Sequence, residues 1–366
     1  MSPGSNMEKN GVLIMAGGTG GHIFPGLAVA ESLRGHGVAV RWLGASGAME
    51  CRQVPAAGFE IDTVDISGLR GKGVGPWITM PWRLLLAVYQ AFKLLGSRRP
   101  ACAISFGGYA AGPGGLAAWL RGVPLLVHEQ NRVPGMTNRV LSRMAKKVLQ
   151  AFPGTWEKNL NAQTCGNPVR ESLLSIESPD QRLSGRSGAV RLLVTGGSQG
   201  AHFLNQVIPS ALALLPSGER PEVRHQAGKG RQEETSQQYR EMGIEAGVFE
   251  FIDDMAGAYG WADLVVCRSG ASTVSELAVA GVAAVLVPYP FAVDDHQSRN
   301  AEFLVEAGAA EMMPEAGCNA ETLAAVLSRL FASRDERLKM ACAARAVSVP
   351  DSADRVAALC MELIPT

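Results

Sequence analysis

The stretch "GVLIMAGGTGGHIFPGLAVAESLRGHG", Gly11–Gly37, joins an apolar run to a helical pattern through four glycines in five positions. An apolar run, a glycine-rich turn and a helix in this order are typical of a parallel α/β sheet, where the turn lets backbone N–H groups approach a ligand. The helix N-terminus adds a partial positive charge, so such a turn favours phosphate. The other interpretation of these glycines is a tight turn with close packing of the helix on the strand.

The same pattern returns about half the chain later in "RLLVTGGSQGAHFLNQVI", Arg191–Ile208, and a third glycine-rich loop, "FGGYAAGPGG", spans Phe106–Gly115. This repetition favours binding of a phosphate or sugar phosphate over turn geometry alone. It also predicts two similar doubly wound domains, each a parallel sheet covered by helices, that face each other across a cleft.

Short apolar runs alternate with helical patterns along the whole chain, as this architecture requires. The predicted strands are Val12–Ala16, Val38–Leu43, Ala103–Phe106, Leu125–His128, Lys147–Ala151, Leu192–Thr195, Val223–Gln226, Leu264–Cys267 and Ala284–Val287. The predicted helices include Ala28–Arg34, Thr137–Met144, Leu204–Leu215, Val274–Ala280 and Gln297–Ala307. We expect a first domain at 11–168, a second at 169–346, and a terminal helix at about 347–366 that packs back on the first.

Composition narrows the class of protein. A chain of 366 residues suits two domains, and its net charge of zero gives no argument for a nucleic-acid partner. The seven cysteines are scattered without a C-x-x-C pair, which indicates reduced thiols in a cytoplasmic protein. The first ten residues lack the apolar region of a signal peptide, and no run is typical of a membrane-spanning helix.

The first glycine-rich turn does not match the common nucleotide-cofactor motifs. Gly18 and Gly20 fit the start of G-x-G-x-x-G, but Ile23 occupies the third glycine position, and the second predicted strand does not end in Asp or Glu. NAD is therefore disfavoured. A P-loop is excluded because no Gly-Lys is followed by Ser or Thr.

Seven motifs, in their order and spacing, resemble the MurG family of bacterial glycosyltransferases. They are "GGTGGHIFPGLA", "HEQN", "GNPVR", "GGSQGA", "FIDDM", "RSGASTVSE" and "DDHQSRNA", and they cover about residues 11 to 364. The resemblance implies the GT-B fold and inverting transfer of N-acetylglucosamine from its UDP donor to a lipid-linked muramyl-pentapeptide. It further implies peptidoglycan synthesis at the cytoplasmic face of the inner membrane, alongside proteins of cell-wall synthesis and division.

The resemblance implies that the donor binds the second domain. Glu276 of "RSGASTVSE" is expected to accept hydrogen bonds from the ribose hydroxyls, whereas the spacing of Thr273 and Glu276 alone also fits a capping box. The other implied donor residues are Arg170 toward the diphosphate, Ser198 toward a phosphate, Ile252 against uracil, Ala271, Ser272, Thr273, Val274 and Ser275 at a helix N-terminus, and Gln297 toward the sugar.

The first domain is expected to hold the acceptor and part of the donor sugar. The resemblance implies backbone contacts from Thr19, Gly20 and Gly21 and a sugar contact from Asn131. His22 is a candidate general base because imidazole titrates near neutral pH, and Glu129 competes with it. A purely structural role for His22 stays open.

No cofactor or metal is expected to be required. The acidic pairs Asp253–Asp254 and Asp294–Asp295 are adjacent, unlike the Asp-x-Asp pattern that holds a divalent ion in many sugar-nucleotide transferases. Asp295 is more simply the N-cap of the next helix. We expect helix N-termini and Arg170 to offset the charge of the leaving UDP instead.

A basic segment of the first domain predicts contact with a membrane. Ile66–His128 contains no Asp or Glu but carries Arg70, Lys72, Arg83, Lys93, Arg98, Arg99 and Arg121. Trp77, Ile78 and Trp82 lie close to Arg83, and tryptophans beside cations suit an anionic membrane surface. The alternative is that these residues are core, as we expect for many of Leu84–Phe92.

Two other classes of function stay open at this point. One is a related UDP-sugar enzyme of the same fold, such as a glycolipid glycosyltransferase or a UDP-sugar 2-epimerase. The other is a non-catalytic protein that binds a nucleotide sugar.

Overall fold

This computed structural model describes residues 11–66, 74–197 and 200–365, except for the side chains of 74–79 and Val293. The chain divides into two compact units. One comprises the residues up to Arg170 together with those from Pro350 onward, and the other spans Glu171–Val349.

The first unit is built on a sheet of seven parallel strands. In chain order its strands are β1 (Val12–Ala16), β2 (Val40–Ala45), β3 (Glu60–Val64), β4 (Cys102–Gly107), β5 (Leu125–Glu129), β6 (Lys147–Gln150) and β7 (Gln163–Thr164). The helices are α1 (Gly20–Gly35), α2 (Glu50–Ala56), α3 (Val74–Arg98), α4 (Ala111–Leu120) and α5 (Met136–Leu141). The sheet order β3-β2-β1-β4-β5-β6-β7 reverses direction between β1 and β4, so the glycine loops that follow these two strands are neighbours.

The second unit has a sheet of six parallel strands in the order β10-β9-β8-β11-β12-β13. Its strands are β8 (Arg191–Thr195), β9 (Glu222–Gln226), β10 (Ala246–Phe249), β11 (Leu264–Cys267), β12 (Ala283–Leu286) and β13 (Ala310–Met312). Its helices are α6 (Pro179–Ser184), α7 (His202–Ala213), α8 (Gln232–Glu241), α9 (Met255–Trp261), α10 (Ala271–Ala280), α11 (His296–Glu306), α12 (Ala320–Ala332) and α13 (Arg334–Ala346). The order of the strands reverses between β8 and β11, which places the second glycine loop beside the start of α10.

The last helix, α14 (Ser352–Met361), belongs to the first unit and packs against α1. Its Val356, Ala357 and Cys360 are buried in the same apolar cluster as Val12 and Ile14 of β1. Leu13 and Met15 join a second cluster on the opposite face of the sheet. Both faces of β1 are therefore buried, which explains why its sequence is apolar without alternation.

The fold prediction from sequence is confirmed, since the chain forms two all-parallel α/β sheets. The prediction missed β3, β7, β10 and β13, which lie at the edges of the sheets. Most residues of these strands are partly exposed, and β3 carries Glu60 and Asp62. An edge strand buries too little apolar surface to leave the continuous hydrophobic run by which the central strands were recognised.

The prediction that many of Leu84–Phe92 are core holds for only part of the segment. Ala87, Ala91 and Leu95 line the buried face of α3, at the spacing of one helical face, whereas Leu84, Leu85, Leu86 and Tyr89 are exposed. The second half of α3 therefore packs against the first unit, whereas the large apolar side chains of 84–86 and Tyr89 are left exposed.

Candidate active site

The glycine loops after β1 and β4 touch each other through their backbones. Gly108 has a φ of +93°, which favours glycine, and a Cβ at that residue would overlap the carbonyl group of Gly17. The two loops therefore form one continuous backbone surface at the carboxyl edge of the first sheet. Thr19 follows as the N-cap of α1, and Gly20 and Gly21 are the first two residues of that helix.

His22 lies in the first turn of α1 and is held by the backbone. Its Nδ1 is 3.1 Å from the carbonyl oxygen of Gly17, with Thr19 Oγ1 at 3.4 Å. A carbonyl only accepts hydrogen bonds, so Nδ1 donates and Nε2 carries the lone pair. The ring is half-buried, and Nε2 lies above Gly107, where a Cβ would come within 3.3 Å of it.

Glu129 sits at the end of β5 and is almost fully buried. Its carboxylate accepts four hydrogen bonds. The donors are the backbone N–H groups of Asn131 and Gly135 and the side-chain amides of Asn131 and Asn138. These contacts fold the "HEQN" loop and fix the backbone and amide of Asn131. An acceptor hydroxyl could reach this carboxylate only by displacing one of them.

His128, the residue before Glu129, is fully buried and ties this loop to the segment that ends the first unit. Its Nε2 donates to the carbonyl of Gly166 at 2.9 Å, and its Nδ1 accepts from Gln130 Nε2. Burial lowers the pKa of His128 to about 4, against the opposing effect of the Gly166 carbonyl. The imidazole is therefore neutral and structural.

Arg170 ends the N-terminal segment of the first unit and is half-buried. Its guanidinium lies 4.7 Å from the centre of the Phe24 ring of α1, a cation–π contact that orients the side chain.

In the second unit, Gln226 at the end of β9 connects two loops that the sequence assigned to the donor. Its Nε2 donates to the carbonyl of Gly197, and its Oε1 accepts from the backbone N–H of Ile252, at 3.0 and 2.9 Å. Ser198 lies outside the described residues. Sequence analysis missed Gln226 because it belongs to none of the motifs quoted above.

Ile252 borders a cavity of about 350 Å³. The other residues that line it are Arg224, Phe249, Phe251, Asp253, Asp254, Gly257 and Ala258.

In the motif "RSGASTVSE", Arg268, Ser269 and Gly270 form the loop between β11 and α10, and the other residues begin α10. The helix begins at Ala271 after an N-cap at Gly270, so Ala271, Ser272 and Thr273 form its first turn and Val274 and Ser275 follow. Thr273 is inside the helix, which shows that the capping-box alternative is wrong. Glycine at the N-cap offers no side chain to the first-turn N–H groups, and no side-chain cap is formed there.

Glu276 is buried in the second turn of α10, where its Oε2 accepts a hydrogen bond from the hydroxyl of Tyr259 at 3.2 Å. The hydroxyl oxygens of Ser269 and Ser272, in the same motif, are buried without a protein partner. Buried hydroxyls without partners are costly unless something else satisfies them. This motif is therefore the part of the second unit best suited to a polar ligand.

Gln297 lies in the first turn of α11, and its Oε1 accepts from the backbone N–H of Tyr289 at 2.9 Å. Asn300, one turn later, is buried and donates to the carbonyl of Ser269, which joins α11 to the "RSGASTVSE" motif. Asp295 occupies the N-cap position of α11, as predicted. Among the described residues, no group of three or more His, Cys, Asp or Glu is arranged to hold a metal ion.

The membrane patch predicted around Trp77–Arg83 falls on the first half of α3. Trp77 and Ile78 are helical there, but their side chains lie outside the described residues. Trp82 is 76% exposed, and Arg83 beside it is exposed as well. We use the name α3 face for six exposed residues of this helix, which are Trp82, Arg83, Leu84, Leu85, Leu86 and Tyr89. Within the described ranges no helix is long and apolar enough to span a bilayer.

Both units of the chain match domains of one glycosyltransferase family. The glycosyltransferase family 28 N-terminal domain matches residues 12–150, and the family 28 C-terminal domain matches residues 191–356. The UDP-N-acetylglucosamine--N-acetylmuramyl-(pentapeptide) pyrophosphoryl-undecaprenol N-acetylglucosamine transferase of Xanthomonas campestris pv. campestris (strain B100) is 55% identical over 351 residues, 96% of this chain and 81% of that protein. The enzyme of the same name from Marinobacter nauticus is 50% identical over 96% of both chains.

Among solved structures, that of Acinetobacter baumannii MurG matches with a TM-score of 0.84 and 39% identity, covering 96% of this chain and 99% of that one. A UDP-GlcNAc 2-epimerase from Neisseria meningitidis, bound to UDP-GlcNAc, is similar in fold alone, with a TM-score of 0.68 at 11% identity over 96% of this chain and 99% of that one.

Proposed function

This chain belongs to the MurG family within glycosyltransferase family 28, and we propose on that premise that it transfers N-acetylglucosamine from UDP-N-acetylglucosamine to undecaprenyl-pyrophosphoryl-MurNAc-pentapeptide. The reaction is a step of peptidoglycan synthesis. The 4-hydroxyl of the muramyl sugar attacks C1 of the donor sugar with inversion, and UDP leaves.

The observation that carries the site assignment is the hydrogen bond from His22 Nδ1 to the carbonyl of Gly17. It leaves Nε2 as the basic nitrogen, at the glycine loops of the first unit. We assign His22 as the general base that takes the proton of the acceptor hydroxyl. The carboxylate of Glu129 could also take this proton, but its four hydrogen bonds favour a role in shaping the loop of Asn131.

Donor binding is assigned to the second unit. The buried carboxylate of Glu276 suits the ribose diol, and the uncapped start of α10 suits the diphosphate. Ile252 would contact uracil, Gln297 the sugar, and Ser198 a phosphate, and the family resemblance assigns Arg170, which belongs to the first unit, to the leaving diphosphate. Together these groups would stabilise the negative charge that develops on UDP without a required metal.

The α3 face supports a peripheral location at the cytoplasmic side of the inner membrane. An exposed tryptophan beside an arginine, followed by exposed leucines, has the composition of an interfacial helix. The acceptor is lipid-linked, so a docking surface on the acceptor-binding unit would bring the site to its substrate. Cell-wall synthesis and division proteins are the partners that this location suggests.

Turnover tests this function directly. Purified protein is incubated with labelled UDP-N-acetylglucosamine and a short-chain lipid-linked muramyl-pentapeptide, with and without EDTA. We expect transfer in both conditions, and we expect His22→Ala to lower kcat by about 10²- to 10⁴-fold, the usual range for loss of a general base.

The exposed His36→Ala, at the other end of α1, is the matched control for His22→Ala. No transfer by a folded protein would overturn the proposed reaction. Full activity of His22→Ala would overturn only the assignment of the base, and loss of activity in EDTA that manganese restores would show a metal requirement.

A further inference from the structure

A buried carboxylate lies directly beneath the first glycine loop. Glu50, the first residue of α2, is completely buried. Its Oε2 accepts from the backbone N–H of Gly18 at 3.1 Å, and its Oε1 accepts from the backbone N–H of Ala45 at 2.9 Å. One side chain thus joins the ends of β1 and β2.

Two glycines make room for this carboxylate. A Cβ on Gly17 would overlap Glu50 Oε1, and a Cβ on Gly44 would lie 2.6 Å from Glu50 Cγ. Carboxylates are rarely buried unless they are fully hydrogen-bonded, and here the backbone of two strands is arranged around one. Such an arrangement is more than helix stability requires.

The carboxylate is connected to His22 through two short steps. Glu50 holds the N–H of Gly18, the peptide unit that includes the carbonyl of Gly17. That same carbonyl accepts from Nδ1 of His22. A shift of this one peptide unit would therefore turn or release the imidazole.

We propose that Glu50 is a positioning residue for the transfer reaction: its carboxylate fixes the Gly17–Gly18 peptide, and this peptide fixes the tautomer and direction of His22. The proposal rests on His22 as the base in the proposed function. Glutamine at residue 50 would keep the shape but lose one acceptor, because its NH₂ group would face a backbone N–H.

A double-mutant cycle tests the proposal, with Glu50→Gln, His22→Ala and the combined variant. We expect Glu50→Gln to lower kcat by about 10- to 100-fold, because misplacing a catalytic group by about 1 Å has effects of this size. The KM for UDP-N-acetylglucosamine should stay within about two-fold, since the donor belongs to the other unit. In the His22→Ala background, Glu50→Gln should lower kcat by less than about two-fold, because both changes remove the same function.

The controls separate this proposal from the function on which it rests. Glu31→Gln, on the exposed face of α1, should leave kcat unchanged. If the losses of Glu50→Gln and His22→Ala multiply, Glu50 acts independently of His22 and the positioning role is overturned. A Glu50→Gln protein that unfolds at 25 °C would also overturn it, since the carboxylate would then serve folding alone. If His22→Ala itself keeps full kcat, the base assignment fails instead.

Discussion

A backbone carbonyl decides which nitrogen of His22 carries the proton. The carbonyl of Gly17 accepts from Nδ1, so the ring presents Nε2 as an acceptor without any acidic partner. Glu129 shows the opposite use of a titratable side chain, because its acceptor positions are occupied by the loop that it folds. At the residue scale, the environment rather than the residue type distinguishes His22, the proposed base, from Glu129, whose carboxylate holds its loop.

Glu276 gives a test of the donor site. Glu276→Ala removes the carboxylate assigned to the ribose hydroxyls, and hydrogen bonds to a charged acceptor contribute about 1.5–3 kcal/mol. We expect the donor KM to rise about 10- to 100-fold, measured by steady-state kinetics, while the KM of the lipid acceptor changes little. Glu321→Ala on the exposed face of α12 is the matched control. An unchanged donor KM would overturn the assignment of Glu276 to the ribose.

Sequence patterns found the residues that belong to local motifs and missed those that act from a distance. Glu276 and Gln297 could be named because each lies in a motif with a recognisable spacing. Glu50 contacts a glycine 32 residues away, and Gln226 joins residues 29 and 26 positions apart from it. Neither contact has a sequence signature, since both depend on which strands the sheet places side by side.

The elements differ in how well their burial could be predicted. Central strands such as β1 are apolar on both faces and were recognised, whereas edge strands such as β3 were not. For α3 the apolar pattern alone cannot say which face is covered. Ala87, Ala91 and Leu95 meet the core, whereas Leu84, Leu85, Leu86 and Tyr89 are exposed.

The α3 face predicts salt-dependent binding to anionic vesicles. Arg83→Gln removes one surface cation, which contributes about 1 kcal/mol near an anionic membrane, so binding should fall about five-fold at low salt. Adding Trp82→Ser should weaken binding further, with UDP affinity unchanged. Leu214→Ser, an equally accessible apolar side chain on the second unit, is the control for vesicle sedimentation. If the Trp82→Ser/Arg83→Gln protein sediments like the parent, the docking surface lies elsewhere.

At the scale of the whole molecule, two buried neutral histidines make the free energy of unfolding depend on pH. Burial lowers the pKa of His128 to about 4 and that of His225 to about 3, where His225 bonds Tyr239 and Asn205. The ordinary value is 6.5, so between pH 6.5 and these values the unfolded chain binds more protons than the native one. Stability is therefore full above pH 6.5 and falls as the pH drops below it.

Each of these histidines should cost about 2 kcal/mol of unfolding free energy between pH 6.5 and pH 5. Urea unfolding at several pH values measures this slope. His225→Gln should unfold with a shallower pH dependence than the parent, even where it is less stable overall. His202→Gln, exposed at the start of α7, should keep the parent slope. Equal slopes for all three proteins would show that His225 titrates normally.

Ligand-linked stability tests the nucleotide class on the intact protein. UDP should raise the melting temperature, because at a concentration 100 times its Kd it adds about 2.7 kcal/mol to the free energy of unfolding. NAD should leave the melting temperature unchanged. The first glycine loop lacks the third glycine, and the second predicted strand lacks the acidic end, that a dinucleotide needs. Stabilisation by NAD and not by UDP would contradict the proposed donor site.

The return of α14 to the first unit also sets an order of events during synthesis. The second unit, Glu171–Val349, is one continuous segment, so its fold does not depend on the segment from Pro350, whereas the first unit is complete only when α14 of that segment packs against α1. Until that segment emerges, α1 lacks the helix that covers it, and Ser32 lacks its hydrogen bond to Asp354. The unit that carries His22 therefore starts before the second unit in the chain and is completed by the segment that follows it.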